Sequence, residues 1–308
     1  MTHSVMFHHF HDDFHLPGQG SLSASDFDLM ISWLSDRYVI LDAQEYKSRF
    51  LSRTLKNTDI CLSFDDALKC QYDIALPVLR KNNISAFFFI HSTALFSSTD
   101  FLEIFRYFRT TQFKNLEEFY TYFFKSLMDK NKDLYLNVQH QYNSLGYLSA
   151  YPFYSENDKW FRYLRDQYLG HEKYTNIMLE LISEKGFDIN HIKNDFYMRE
   201  DEVLKLHENG HVVGLHSYSH PTQMSKLTAD QQLKEYYQNF THLSKVLKTS
   251  EITSMSHPSG DYNFDTLSVL KGMGIQIGFR SNISGKEIKS PLEIPREDHA
   301  NVFKEMKQ

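Results

Sequence analysis

Cysteine is nearly missing from this 308-residue chain. The two present, Cys61 and Cys70, flank one short segment and exclude a disulfide framework. Cys61 lies in an apolar run and reads as a small buried residue. Positive charge is also scarce. With 33 Lys and Arg against 39 Asp and Glu, the net charge of -6 lacks the electrostatic footprint of a nucleic-acid binder or of a protein held on an anionic membrane. No apolar run reaches the roughly 20 residues of a transmembrane segment. Residues 1–15 contain no basic start followed by an apolar core, the pattern of a secretory signal. Internal repeats and low-complexity stretches are absent as well. These absences predict a soluble, cytoplasmic globular protein with no nucleic-acid partner and no transmembrane segment.

Aromatics and histidines are plentiful: 25 Phe, 19 Tyr and 16 His. The length suits one large domain or two ordinary ones, and most of the aromatics are assigned to its core. The first apolar run, residues 4–10 (S-V-M-F-H-H-F), reads as a strand. It leads into His8, His9, His11, Asp12 and Asp13, a polar cluster at a strand end, where α/β folds place their sites. A solvated loop is the plain alternative. Ser23 and Asp26 form a capping-box start, with Phe27, Met30, Ile31 and Leu34 following at helical spacing. Residues 38–41 read as extended and 43–55 as helical.

Residues 59–64 (D-I-C-L-S-F) are apolar on both faces, as a buried parallel strand requires. They end in Asp65 and Asp66. Two carboxylates there are costly unless something uses them, and an N-cap role explains only one. Because neighbouring strand residues point oppositely, one of the two is expected to face a ligand directly. Residues 69–82 read as a helix with Pro77 as a kink, and 84–90 as another buried strand. Strand, helix and strand at this spacing favour a parallel sheet or barrel.

From 97 to 193 the pattern changes to helical stripes: Leu116, Phe119, Phe123 and Leu127; Trp160, Tyr163, Leu164 and Tyr168; Ile177, Leu181 and Ile182. An insertion of about ninety residues exceeds any ordinary connection. It reads either as packing on the main domain or as a lid or cleft wall. Alternation then resumes with a helix over 200–209, Gly210 as its cap, and a strand over 211–215 that ends at His216. Thr228 and Gln231 form a second capping box, opening a helix with Leu233, Tyr236, Tyr237, Phe240, Leu243 and Leu247 on its apolar face. Strands are expected at 252–255, 274–279 and 292–294, with a helix at 264–271.

Residues 216–221 read H-S-Y-S-H-P. Two histidines four apart project to one side of a helix or tight turn and can share a metal ion, but a catalytic metal needs a third protein ligand. Polar clusters follow five predicted strands: residues 8–13, 65–66, 216–220, 256–263 and 296–299. In a barrel those ends meet on one face, which brings Asp, His and His within reach of one ion.

These motifs resemble those of the polysaccharide deacetylases of carbohydrate esterase family 4. Residues 63–67 (S-F-D-D-A) look like the family's T-F-D-D-G, residues 216–221 are similar to its H-[S/T]-x-x-H, residues 86–90 to its A-T-F-F-I strand, and residues 258–263 to the tail of its R-x-P-Y-G motif. The resemblance implies an α/β fold, a distorted (β/α)7 barrel, spanning 1–96 and 198–308, with 97–197 a helical insertion in the same domain. It implies that Asp66, His216 and His220 bind a divalent metal, zinc first; the Asp-His-His donor set by itself also suits Co2+, Ni2+, Fe2+ or Mn2+. Asp65 is then the general base, and a backbone N–H near Ser259 helps hold the oxyanion.

Two departures stand out. Ser256 occupies the place of the arginine that orients the base, and Arg296 is a substitute from another strand end. The family's acid is a C-terminal histidine, and His299 is the candidate, with His9, His11 and His257 as competitors. The implied function is metal-dependent removal of an N-acetyl or other N-acyl group from a sugar. An intracellular precursor of surface polysaccharide or glycolipid is the expected substrate. A metal-dependent amidohydrolase on a small non-sugar amide and a non-catalytic carbohydrate-binding barrel are the alternatives. The sequence does not determine the oligomeric state.

Overall fold

The structure is a computed structural model that describes residues 4–96, 101–130, 132–142, 147–148, 154–189, 196–281 and 287–308. It divides into two compact units, Met1–Thr99 with Asp195–Gln308, and Asp100–Asn194.

The first unit is built on parallel strands: β1 (Ser4–Phe7), β2 (Val39–Ile40), β3 (Asp59–Asp65), β4 (Phe87–Ile90), β5 (Val212–Leu215), β6 (Ser254–Ser256), β7 (Ile277–Phe279) and β8 (Glu297–Asp298). The sheet order is β7-β6-β5-β4-β3-β1-β8, with β2 pairing β3 off this path. Every pairing is parallel. Ile294 bridges to Phe279 on β7, and four residues later Asp298 pairs with Met6 on β1. The segment running into β8 therefore carries the curl from β7 round to β1. This curled parallel sheet with surrounding helices is the expected distorted barrel.

The strand residues sort by parity, because successive side chains point to opposite faces. Ile60, Leu62 and Phe64 of β3 and Phe88 and Ile90 of β4 belong to a large core that includes helix residues such as Phe27, Leu34 and Tyr236. Cys61, Phe87, Phe89, Ile277 and Phe279 belong to a smaller core with Ile294 and Tyr46, the interior of the barrel. Asp65 continues the interior parity of Cys61. Gly214 of β5 is needed at this inner wall: a Cβ there would lie 2.7 Å from the Ser254 carbonyl oxygen and 2.8 Å from the Phe89 ring. Gly214→Ala is expected to destabilise the chain by about 1–3 kcal/mol through overpacking. A urea melt checks this, and a midpoint equal to the parent's would refute it.

Several local expectations are corrected. The first strand ends at Phe7 instead of Phe10, which makes only an isolated bridge with Leu22. Pro77 sits within its helix as expected. Residues 69–81 are helical without a break, and the turn before Pro77, Gln71–Ala75, is π-helical, the local distortion that a proline without an N–H accompanies. The last strand is Glu297–Asp298, whereas at 292–294 only Ile294 bridges. On the helix Ala229–Leu247 the capping box forms as expected, yet Leu233 and Tyr237 are exposed while Gln232 and Asn239 are buried. Tyr236, Leu243 and Leu247 of the expected apolar face do lie in the core.

The second unit contains the helices Leu102–Thr111, Leu116–Lys130, Lys132–Tyr142, Glu156–Tyr163 and Gly170–Glu184. The predicted stripes supply its core: Phe119, Phe123, Trp160, Leu164, Leu181 and Ile182 are buried together, with Tyr168 left exposed. Expected as an insertion in one domain, this region thus has a compact core of its own. No helix among the described residues is long and apolar enough to cross a membrane.

Candidate active site

β3 ends abruptly. Asp66 and Ala67 take left-handed backbone, at φ 79° and 57°, which L-residues adopt at a cost of about 1–2 kcal/mol each. This twist resolves the alternation problem posed by adjacent carboxylates. Asp65 Oδ2 lies 3.9 Å and Asp66 Oδ1 3.3 Å from the same atom, His216 Nε2. Both carboxylates therefore approach one histidine.

Asp66, His216 and His220 form a group whose ligand atoms all lie within 4.8 Å of one another. His220 Nε2 is 3.4 Å from Asp66 Oδ1. That oxygen is buried and makes no hydrogen bond, so the three atoms converge without sharing protons. Two ligands each about 2.0–2.1 Å from one ion at a tetrahedral angle are themselves about 3.3–3.4 Å apart. The His216 Nδ1–H donates to the Ser256 carbonyl at 2.8 Å, which leaves the Nε2 lone pair for a metal, the usual outer-shell arrangement. The donor set therefore fits a divalent cation.

Electrostatics divide the group. Burial alone would raise Asp66, but His216, His220 and His8 outweigh it and hold its carboxyl well below the usual range. Burial drops His220 to about 4. Burial also works against the charged form of His216, yet Asp65 and Asp66 together raise its pKa above the ordinary histidine value. In the metal-free chain the raised value favours a proton on His216. Zinc added near the ordinary histidine pKa is expected to expel it, so the apparent affinity should fall as the pH drops through the raised His216 value. Calorimetry in buffers of different ionisation enthalpy reads the proton release. Release of no proton would contradict this assignment.

Asp65 is tied differently. Arg296, 0% exposed, grips it with two parallel hydrogen bonds, Nη1 to Oδ1 at 2.7 Å and Nη2 to Oδ2 at 2.6 Å. The guanidinium also donates to Ser63 Oγ, Ser256 Oγ and the Arg280 carbonyl. Ser256 Oγ in turn donates to Asp65 Oδ2 at 3.1 Å. Burial pushes the Asp65 carboxyl up, but Arg296 and then His216 pull it below its ordinary value. The small side chain at 256 leaves the space that the guanidinium from position 296 enters.

The remaining sequence-derived candidates are not drawn into this cluster. His299 is buried with Nδ1 3.1 Å from the Met6 carbonyl and Nε2 2.6 Å from the Gly20 carbonyl, its ring stacked on Phe7. Both nitrogens face main-chain oxygens. His11 Nδ1 pairs with Ser21 Oγ. His257 is held to the Leu292 carbonyl and stacked on Tyr262, and burial lowers it to about 4. His9 stacks on His8. Ser259 occupies the short turn Pro258–Gly260 with left-handed backbone, φ 53°.

His8, given no role of its own within the polar cluster at residues 8–13, has its Nε2 3.9 Å from Asp66 Oδ2 with its side chain 26% exposed. Strand parity was the available signal. Ser4 pairs with Cys61 and Met6 with Ser63 on the interior face, and His8 continues that series where His9 does not.

Comparison with known proteins bears on the same residues. The polysaccharide deacetylase family profile matches residues 171–278, the stretch that carries His216, His220 and the loop after β6. Over that stretch the chain is similar to the polysaccharide deacetylases. Solved structures of similar fold include the Streptococcus pyogenes deacetylase PplD in complex with acetate, at 13% identity and TM-score 0.56, covering 96% of this chain and 91% of that one. IcaB from Ammonifex degensii matches at 13% identity and TM-score 0.55, covering 95% and 89%. The BpsB deacetylase domain from Bordetella bronchiseptica matches at 12% and 0.53, covering 96% and 95%. At such identities the likeness is one of fold. No curated protein matches the sequence.

Proposed function

We propose that this deacetylase-family chain is a metal-dependent carbohydrate N-deacetylase, hydrolysing the acetamide of a sugar to acetate and a free amine. The observation that carries the reading is the pairing of a buried, arginine-held Asp65 with the convergent Asp66, His216 and His220. A divalent cation on those three ligands supplies Lewis-acid polarisation of the amide carbonyl. Asp65, kept ionised beside Arg296, accepts a proton from the attacking water. Its bidentate partner and Ser256 fix the direction in which it accepts. The turn at Ser259 is the proposed source of a main-chain N–H for the developing oxyanion. For protonation of the leaving amine we assign His8 in place of His299, because His8 is partly exposed and lies beside Asp66.

The test is acetate release by the zinc-replete chain from acetamido-sugar oligomers and from nucleotide- and lipid-linked acetamido sugars, the precursors expected from the sequence. A simple acetamide is the comparison, and a chelated sample is the control. Cleavage of the simple amide as fast as every sugar, or full activity after chelation, would overturn the proposal.

A further inference from the structure

The turn between the two histidine ligands is strained. Ser217 and His220 both take left-handed backbone, at φ 65° and 53°, a conformation that persists in non-glycine residues only where the surroundings over-determine it. Ser219, in the middle, is exposed to solvent, so burial does not hold the turn in place. Part of the restraint is internal: the His220 N–H donates to Ser217 Oγ at 3.0 Å. Another part comes from the segment after β4, where the Thr93 N–H donates to the Tyr218 carbonyl at 2.9 Å.

The rest comes from one face of the helix Ala229–Leu247. Glu235 Oε2 accepts the N–H groups of Tyr218 at 3.0 Å and Ser219 at 2.8 Å, while Oε1 accepts the Ser219 hydroxyl at 2.8 Å. Four residues on, and so on the same helix face, the fully buried Asn239 reaches the first ligand. Its Oδ1 accepts the His216 N–H at 3.0 Å, and its Nδ2 donates to the Ile90 carbonyl and Ser92 Oγ at 3.0 and 2.9 Å. Asn239 therefore joins the ends of β4 and β5 beneath the site. The sequence pattern hides this pair, because a helix interior with Glu and Asn among apolar residues reads as a solvated face.

We propose that Glu235 and Asn239 are positioning residues that hold both histidines in ligand geometry before the cation arrives, so that this helix sets the metal affinity of the site. The proposal rests on the metal-site reading above. It requires that the free turn relax when Glu235 is removed, leaving His220 to be reordered on binding. Outer-shell partners of metal ligands typically change affinity by about 10–100-fold.

The experiment measures the zinc Kd of the full chain by competition with a chromophoric chelator, alongside thermal melting of the metal-free chain. Glu235→Ala is expected to weaken zinc binding by about 10–100-fold with the metal-free melt close to the parent's. Glu235→Gln is expected to bind as the parent does, since a carboxamide oxygen can accept both N–H groups and its NH2 can meet the Ser219 hydroxyl. Tyr237→Ala, on the exposed side of the same helix at 60% exposure, is expected to leave the Kd unchanged. Asn239→Ala lies in the core, and the Glu235 variants carry the test if it does not fold. A parent-like Kd for Glu235→Ala overturns the proposal, as does a loss in Glu235→Gln equal to that in Glu235→Ala, which would make charge the cause. A parent chain that binds no zinc overturns the metal reading along with it. Zinc binding with the expected variant pattern but no acetate release from any sugar upholds this proposal and overturns the catalytic reading alone.

Discussion

Asp65→Asn is expected to lower acetate release by about 10²–10⁴-fold, the usual contribution of a positioned general base, while zinc remains bound at parent stoichiometry. The substitution keeps the shape of the side chain and one carbonyl acceptor. It removes the group able to take a proton from water and turns an NH2 toward Arg296, whose Nη1 and Nη2 donate to both carboxylate oxygens. Metal retention follows because the ligand trio contains Asp66 and not Asp65. Some loss of stability accompanies it, so activity is to be compared at a temperature where circular dichroism shows both chains folded. Parent-level acetate release from the folded, zinc-loaded variant would remove Asp65 from the chemistry.

Arg296→Met has the largest expected effect on stability. The methionine fills apolar volume but leaves the Asp65 carboxylate buried with its counter-charge gone, a change that costs about 3–5 kcal/mol when one partner of a buried pair is removed. The sign of the pH dependence follows from the Asp65 shift. In the parent its pKa is held below the ordinary value against the opposing effect of burial, mainly by Arg296. The pair therefore contributes stability above the unfolded aspartate pKa, and that contribution is lost as the pH falls through the lower folded value. Without Arg296 the burial effect is no longer opposed by that charge, and the carboxyl is pushed toward its neutral form. The stability deficit should accordingly be greatest at neutral pH and should narrow in acid. Urea denaturation at neutral pH and in mild acid tests this. A deficit below about 1 kcal/mol, the range of an exposed ion pair, or one that is the same at both pH values, would sink it.

Residue chemistry at strand ends made the centre of the site legible early. A buried apolar run that stops at two aspartates is costly unless they are used, and two histidines four apart in H-S-Y-S-H suggest a shared ligand, although the turn that presents them is held by its neighbours. Those are local facts, and the structure brings Asp66, His216 and His220 together. The capping boxes at Ser23 and Thr228 were equally local, since each closes within a single turn of helix. The inward face of the helix Ala229–Leu247 was legible in part. Its apolar spacing placed Tyr236, Leu243 and Leu247 in the core, where they lie, but also Leu233 and Tyr237, which are exposed, and it gave no sign of the polar contacts of Gln232, Glu235 and Asn239.

The sequence by itself determined the parallel α/β barrel and the helical character of the insertion, and it marked Asp66, His216 and His220 as a candidate ligand set, because periodicity and residue type act over a few neighbouring residues. Tertiary structure alone decided which histidine stands beside the metal ligands and which is locked against carbonyls. Arg296 was the candidate partner of Asp65 from the family resemblance, but only the structure supplies its bidentate grip from 231 residues away. Barrel closure through Ile294 and β8 makes that contact, and no local pattern encodes it, because the register of a closing strand depends on the packing of every strand between.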